Sequence, residues 1–216
     1  MKSVGVASGA MPASSSLLSK VLSRTAARPS QQYGADGGID AVIEHRMRAG
    51  STFLDPWWLL TQTQHVPRPL DEVFEFFSNA ENLETLTPSF LGFEIQSRTP
   101  IQMGVGSHIA YRLRLCGIGV RWLTGIECWN PPESFVDVQL RGPYRRWRHH
   151  HHFQPAPDGG TIMTDRVEIQ LPFGPLGLIA YYAFVRNALS EIFAYRAAVL
   201  DRLSRYARFQ DPAVTQ

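Results

Sequence analysis

The sequence predicts an α+β domain: a curved antiparallel sheet of about seven strands, closed by one long C-terminal helix. Three observations carry this. Six successive segments between residues 92 and 171 alternate apolar and polar side chains and are punctuated by turn residues. One strand and two short helical segments precede them. A single amphipathic segment of about thirty residues follows them. Strands gathered before one long helix place that helix on one face of an antiparallel sheet. A curved sheet wrapped around a helix leaves space between the two, which is a common place for a ligand.

The chain has 216 residues, 21 Lys/Arg and 19 Asp/Glu. Residues 1–50 hold six Lys/Arg against three acids, so the remainder carries fifteen arginines against sixteen acids. The basic balance therefore belongs to the leader, and the domain lacks the basic face that nucleic-acid binding needs. Lys2 and Lys20 are the only lysines, which excludes a P-loop or a Schiff-base lysine from the domain. Cys116 and Cys128 give neither a disulfide framework nor a zinc spacing. No apolar run approaches the length of a membrane span.

Residues 1–50 are rich in Ser, Ala and Gly, and no acid precedes Asp36. They are expected to be mostly unstructured, with a short helical turn at Ile39–Met47. Lys20, Arg24 and Arg28 in an acid-poor leader also have the character of an organelle transit peptide. A cytoplasmic protein with a plain N-terminal extension is the expectation set beside it. The folded domain is expected at 51–208 and a tail at 209–216.

Thr61–Val66 reads as the first strand, stopped by Pro67-Arg68-Pro69. Leu70–Phe77 is a short helix, with Asp71 and Glu72 suited to its first turn. Ala80–Leu86 is a second, halted by Pro88. Strands follow near 92–98, 106–116, 118–128, 134–141, 145–154 and 161–171. Asn130-Pro-Pro-Glu133 and Pro157-Asp-Gly-Gly160 are clear turns. The long helix runs from about Leu176 to Ala207.

Four consecutive histidines, His149–His152, lie between Trp147 and Phe153. On a strand they split two and two. Trp147, His149, His151 and Phe153 face inward, and Arg146, Arg148, His150 and His152 face outward. In 161–171, Met163, Asp165, Val167, Ile169 and Leu171 share the apolar face, so Asp165 is its one acid. The strand 134–141 has two readings. A two-residue turn at Gly142-Pro143 buries Val136, Val138 and Leu140. A three-residue turn through Tyr144 instead turns Phe135, Asp137 and Gln139 inward and sets Asp137 opposite His149, because one residue of register flips the face. The second is preferred, since it gives an inward imidazole a carboxylate partner. On the long helix, Leu178, Val185, Leu189, Ile192, Val199 and Leu203 form an apolar stripe with Arg196 at its centre. A guanidinium there needs a partner, Asp165 first and Asp137 second, or else acts structurally. Two histidines two apart do not by spacing select a metal, so no metal or cofactor is expected. No GxSxG elbow supports a serine hydrolase.

The segments VPRPLDEVFEFFSNAENLETLTP, YRLRLCGIGVRWLTGIECWNPPESFVDVQLRGPYRRWRHHHHF and MTDRVEIQLPFGPLG resemble the START-like (SRPBCC), helix-grip superfamily. Within it they are most similar to the bacterial ligand-binding branch related to polyketide cyclases and coenzyme-Q-binding proteins. The resemblance spans about residues 60–200. It implies a cavity for a small hydrophobic ligand: a lipid, an isoprenoid quinone or a polyketide-like aromatic. The expected ligand-contacting set is Tyr111, Trp122, Asp137, Gln139, Trp147, His149, His151, Asp165, Phe173 and Arg196, with Phe184 and Phe193 as further wall. A cyclase or aromatase with His149 or His151 as general acid or base is the enzymatic alternative. An interaction module with a filled interior is the third.

Overall fold

A computed structural model describes residues 42–205 except Phe53 and Cys116. The expectations for residues 1–41 and for the tail lie outside the described residues. Eight strands form one antiparallel sheet in the order β1-β2-β8-β7-β6-β5-β4-β3. They are β1 Val42–Met47, β2 Trp57–Val66, β3 Glu94–Ile95, β4 His108–Leu115, β5 Ile118–Asn130, β6 Ser134–Arg141, β7 Arg146–Pro155 and β8 Thr161–Gln170. Helices α1 (Leu70–Ser78) and α2 (Asn82–Thr85) follow β2. After β8 come α3 (Pro175–Ala180), a π-helical turn (Tyr181–Val185) and α4 (Arg186–Arg205). This is the helix-grip arrangement.

The expected helical turn near Met47 is corrected. Residues 42–47 are strand, paired with β2 from Val42↔Thr63 to Met47↔Trp58. The sheet therefore has one strand more than expected, and β2 starts at Trp57 instead of Thr61. Long-range bonds hold β1 in place: the Tyr181 hydroxyl donates to His45 Nδ1 (2.8 Å), and His45 Nε2–H donates to Ser190 Oγ (3.0 Å). Burial, and then the nearby Arg186 charge, lower the His45 pKa to about 4, so the ring is neutral in this relay.

The long helix is also interrupted. The π-helical turn shifts the helical phase. Tyr181, Leu189, Phe193, Ala197 and Leu200 are buried, whereas Leu178, Val185 and Ile192 are only partly covered. Tyr181 stacks on Trp58 at 4.0 Å between ring centres.

Two apolar clusters fill the grip. One joins α1 to the sheet and the C-terminal part of α4, through Phe74, Phe77, Phe135, Phe153, Met163 and Leu200. The other joins Trp58, Leu60, Val167, Ile169, Tyr181 and Phe193. Polar residues run between them. Gln62 and Gln64, both buried on β2, donate to the main-chain carbonyls of Phe193 and Ala197 and clip α4 to the sheet. Beside them lie His149, His151 and Asp165, all buried.

Candidate functional site

The register of β6 settles which side chains meet. The structure pairs Asp137 with His149, Val136 with His150 and Phe135 with His151, as the three-residue turn requires. Gln139 closes that turn: its Nε2 donates to the Tyr144 carbonyl (2.7 Å) and its Oε1 accepts from the Tyr144 N–H (3.2 Å). A side chain at Gly142 would collide with Gln139, so glycine there lets the amide fold back. On the opposite face of β6, Val136 is buried, Val138 is partly covered and Leu140 is exposed.

Two adjacent rows across the sheet then build the site. One runs Gln62, Asp165, His151, Phe135; the next runs Leu60, Val167, His149, Asp137, Ile126. The closest polar contacts include both diagonals between the rows, which neighbouring strands bring within reach. His149 Nε2–H donates to Asp165 Oδ1 (3.0 Å), and His151 Nε2–H donates to Asp137 Oδ2 (2.9 Å). His151 Nδ1 also lies 2.8 Å from Asp165 Oδ1, and His149 Nδ1 lies 3.6 Å from Asp137 Oδ2. The two imidazoles pack against each other at 3.8 Å, and Phe135 stacks on His151 at 4.1 Å. From α4, Arg196 reaches to 3.8 Å from Asp165 Oδ1 and 3.4 Å from His151 Nδ1. Its guanidinium sits over the Phe77 ring at 4.8 Å, and its Nε has no hydrogen-bond partner among the described residues. Asp165 is thus the nearer carboxylate to Arg196, in the order expected.

The charges follow from these contacts. Burial would raise the Asp165 pKa, but Arg196 and the imidazoles outweigh it and hold the group well below the usual carboxylate range. Asp137 is lowered in the same way: burial works against ionisation, and the His151 bond with the charges around it prevails. Burial and the neighbouring His151 charge lower His149. Burial also disfavours the charged form of His151, yet its contacts with Asp137 and Asp165 prevail and raise it. The cluster therefore favours the ionised forms of Asp137 and Asp165, facing Arg196, with the contacts of His151 favouring its charged form and those of His149 its neutral one.

Above this cluster lies a cavity of about 130 Å³. Asp137, His149, His151 and Arg196 form its polar floor; Phe76, Phe77, Leu83 and Leu86 come from the α1–α2 segment, and Ile109, Tyr111, Thr124, Ile126 and Trp147 from the sheet. Of the residues singled out from sequence, Tyr111, Asp137, Trp147, His149, His151 and Arg196 line it. Asp165 lies beneath, holding both imidazoles. Trp122 forms a second layer, stacked on Tyr111 (5.9 Å) and edge-on to Trp147 (5.5 Å), with its N–H donating to Thr124 Oγ1. Phe193 is buried beside His149 at 5.7 Å, outside the cavity wall. Gln139 is used up in its turn.

Phe173 is a correction. It is 79% exposed, because the Phe173–Gly174 pair takes positive φ (69° and 50°) and swings the ring to solvent. Gly174 packs against the Leu54 carbonyl, where a side chain would clash. Phe184, on the π-helical turn, is also exposed. Among the contributors not anticipated are Phe76, Phe77, Leu83 and Leu86, from the α1–α2 segment. Their signal was the apolar spacing of FEFFSNAENLETL, two short helices with a face to bury; the sequence does not say which opening they cover.

A search with protein-family models matches residues 66–193 to the family described as polyketide cyclase / dehydrase and lipid transport. The match covers more than half of the chain, and the chain belongs to that family. Among solved structures it is similar to a protein from Thermus thermophilus, with TM-score 0.55, 18% identity, and 68% of this chain and 97% of that one covered. The Zhui aromatase/cyclase from a Streptomyces species matches with TM-score 0.53 and 15% identity over 70% of this chain and 97% of its own. Norcoclaurine synthase from Thalictrum flavum gives TM-score 0.53 at 12% identity, covering 70% and 96%. At such identities these likenesses show the fold. No curated protein matches the sequence. No helix among the described residues is long and apolar enough to cross a membrane.

Proposed function

We propose that the protein binds a compact, largely aromatic molecule in the cavity between α1, α4 and the sheet. Its oxygen substituent would meet the polar floor made by Asp137, His149, His151 and Arg196. One observation carries this: an aromatic-walled cavity whose charged residues all converge on one end, the usual layout of a small-molecule site. Size narrows the guest. About 130 Å³ is close to a cavity that takes a single benzene ring, so a one- or two-ring aromatic suits it better than a chain lipid or an isoprenoid tail.

Native mass spectrometry of protein purified from its own cell extract tests the reading, with organic extraction of anything bound. The expected result is a stoichiometric compact aromatic or quinone-like compound. No adduct, together with no thermal shift across a panel of phenols, quinones and fatty acids, would sink it and favour an interaction role.

A catalytic reading has its own support in the His149–Asp165 pair. A neutral imidazole held by a buried carboxylate at the floor of the cavity is suited to general acid–base chemistry. Turnover of the identified guest, lost in His149→Gln while binding persists, separates catalysis from binding alone.

A further inference from the structure

We infer that Asp137, His149 and His151 form a site for a divalent d-block cation, for which zinc is the test ion. Spacing alone did not select a metal; the fold does. Residues two apart on a strand share a face, so β7 presents both imidazoles together, and β6 sets Asp137 opposite. One possible ligand atom from each of Asp137, His149 and His151 lies within 4.8 Å of the other two, and Asp137 Oδ2 faces both His149 Nδ1 and His151 Nε2. Two of the separations, 2.9 and 3.6 Å, bracket the roughly 3.3 Å edge of a tetrahedron with metal–ligand bonds of about 2.0–2.1 Å.

The surroundings supply what such ligands need. A metal-bound imidazole is oriented by an acceptor on its other nitrogen. Here both other nitrogens, His149 Nε2 and His151 Nδ1, lie against Asp165 Oδ1 at 3.0 and 2.8 Å. Arg196, 3.8 Å from that same oxygen, balances Asp165, and a cation would take the place of the His151 Nε2 proton beside Asp137. All three ligands line the cavity, so the remaining coordination positions open into it. Structural zinc sites are closed by four protein ligands, whereas three ligands and an open side mark a site meant to take water or a guest. Two imidazoles and one carboxylate suit zinc or ferrous iron better than magnesium or calcium. A cation there would polarise the oxygen of a bound molecule, but its binding does not depend on which molecule the cavity takes.

The test is metal alone on the full chain. The protein is stripped with a chelator, dialysed against zinc chloride and freed of loose ion, and its metal content is measured. One zinc per chain is expected. Cobalt substitution of the unmutated protein should give the intense visible bands of a four- or five-coordinate site. Asp137→Asn should reduce retention to background. Asp165→Asn should weaken affinity by about 10–100-fold through the outer contact. The outward pair, tested as His150→Gln/His152→Gln, should leave retention unchanged. Substoichiometric zinc in the unmutated protein, the weak spectrum of a six-coordinate aqueous cobalt ion, or zinc that follows His150 and His152 would each overturn the assignment. The cobalt spectrum needs no variant, so a variant that fails to fold leaves the decision intact.

Discussion

At the scale of single residues, Asp165 ties both imidazoles of the buried cluster to Arg196. It accepts from His149, lies against His151 and faces Arg196, and it is 3% exposed. Buried ion pairs add little net stability, but removing one member leaves the others unpaired in a medium that cannot solvate them. Asp165→Ala is therefore expected to destabilise the protein by about 3–5 kcal/mol in urea unfolding. A loss below about 1 kcal/mol would mean that Arg196 finds solvent or another acceptor. The same residue marks the reach of pattern reading. Alternation along 161–171 isolates Asp165 as the one acid on an apolar face, and the turn at Gly142 brings Asp137 inward. Asp137 bonds the diagonal His151 more closely (2.9 Å) than the His149 opposite it (3.6 Å), whereas Asp165 reaches both its opposite residue His151 (2.8 Å) and the diagonal His149 (3.0 Å). Register specifies which residues are opposite, whereas side-chain rotamers, which the alternation does not record, decide between opposite and diagonal contacts.

At the scale of elements, strands with alternating faces were legible because one side of each is wet and the other dry. β7 and β8 bury every second residue through His149, His151, Phe153, Asp165 and Val167 as the pattern requires. β1 was not legible, because its place depends on a contact more than a hundred residues away, His45 with Tyr181 and Ser190. The π-helical turn was hidden for the same reason: Tyr181 is pulled in by Trp58, and a 100° periodicity carries no record of that. This relay makes a prediction with a definite sign. His45 has a folded pKa of about 4 against an ordinary 6.5, so the unfolded chain binds the proton more readily between those values. Its neutral form supports the fold fully above pH 6.5, and that support is lost as pH falls toward 4. The ring is partly open to solvent, which reduces the effect to about 2 kcal/mol. Urea unfolding at pH 7 and pH 4.5 should show a smaller acid loss in His45→Gln than in the unmutated protein; equal losses would assign the acid sensitivity to other groups.

On the scale of the whole molecule, the fold keeps two features that oppose stability, a cavity and a buried charge cluster, and it keeps them together. A cavity of about 130 Å³ forgoes the side-chain packing that would otherwise fill it. The sheet supplies the rigidity to hold both: Gln62 and Gln64 fix α4, β6 and β7 fix the imidazoles, and the short α1–α2 segment closes the remaining side. That division explains why the sheet wall of the cavity could be read from alternating strands while Phe77, Leu83 and Leu86 could not. Their position depends on how a connection lies across the sheet. If the space exists to receive a guest, filling it should improve stability and abolish function, the trade expected where function keeps a fold from its stability optimum. Leu83→Phe directs a larger side chain into the cavity from a partly exposed position, where the backbone can adjust. It should raise the unfolding free energy by about 1 kcal/mol and remove any thermal shift given by one- and two-ring phenols. A gain in stability with the shift undiminished would show that the phenols bind elsewhere and would separate the cavity from the binding it is proposed to perform.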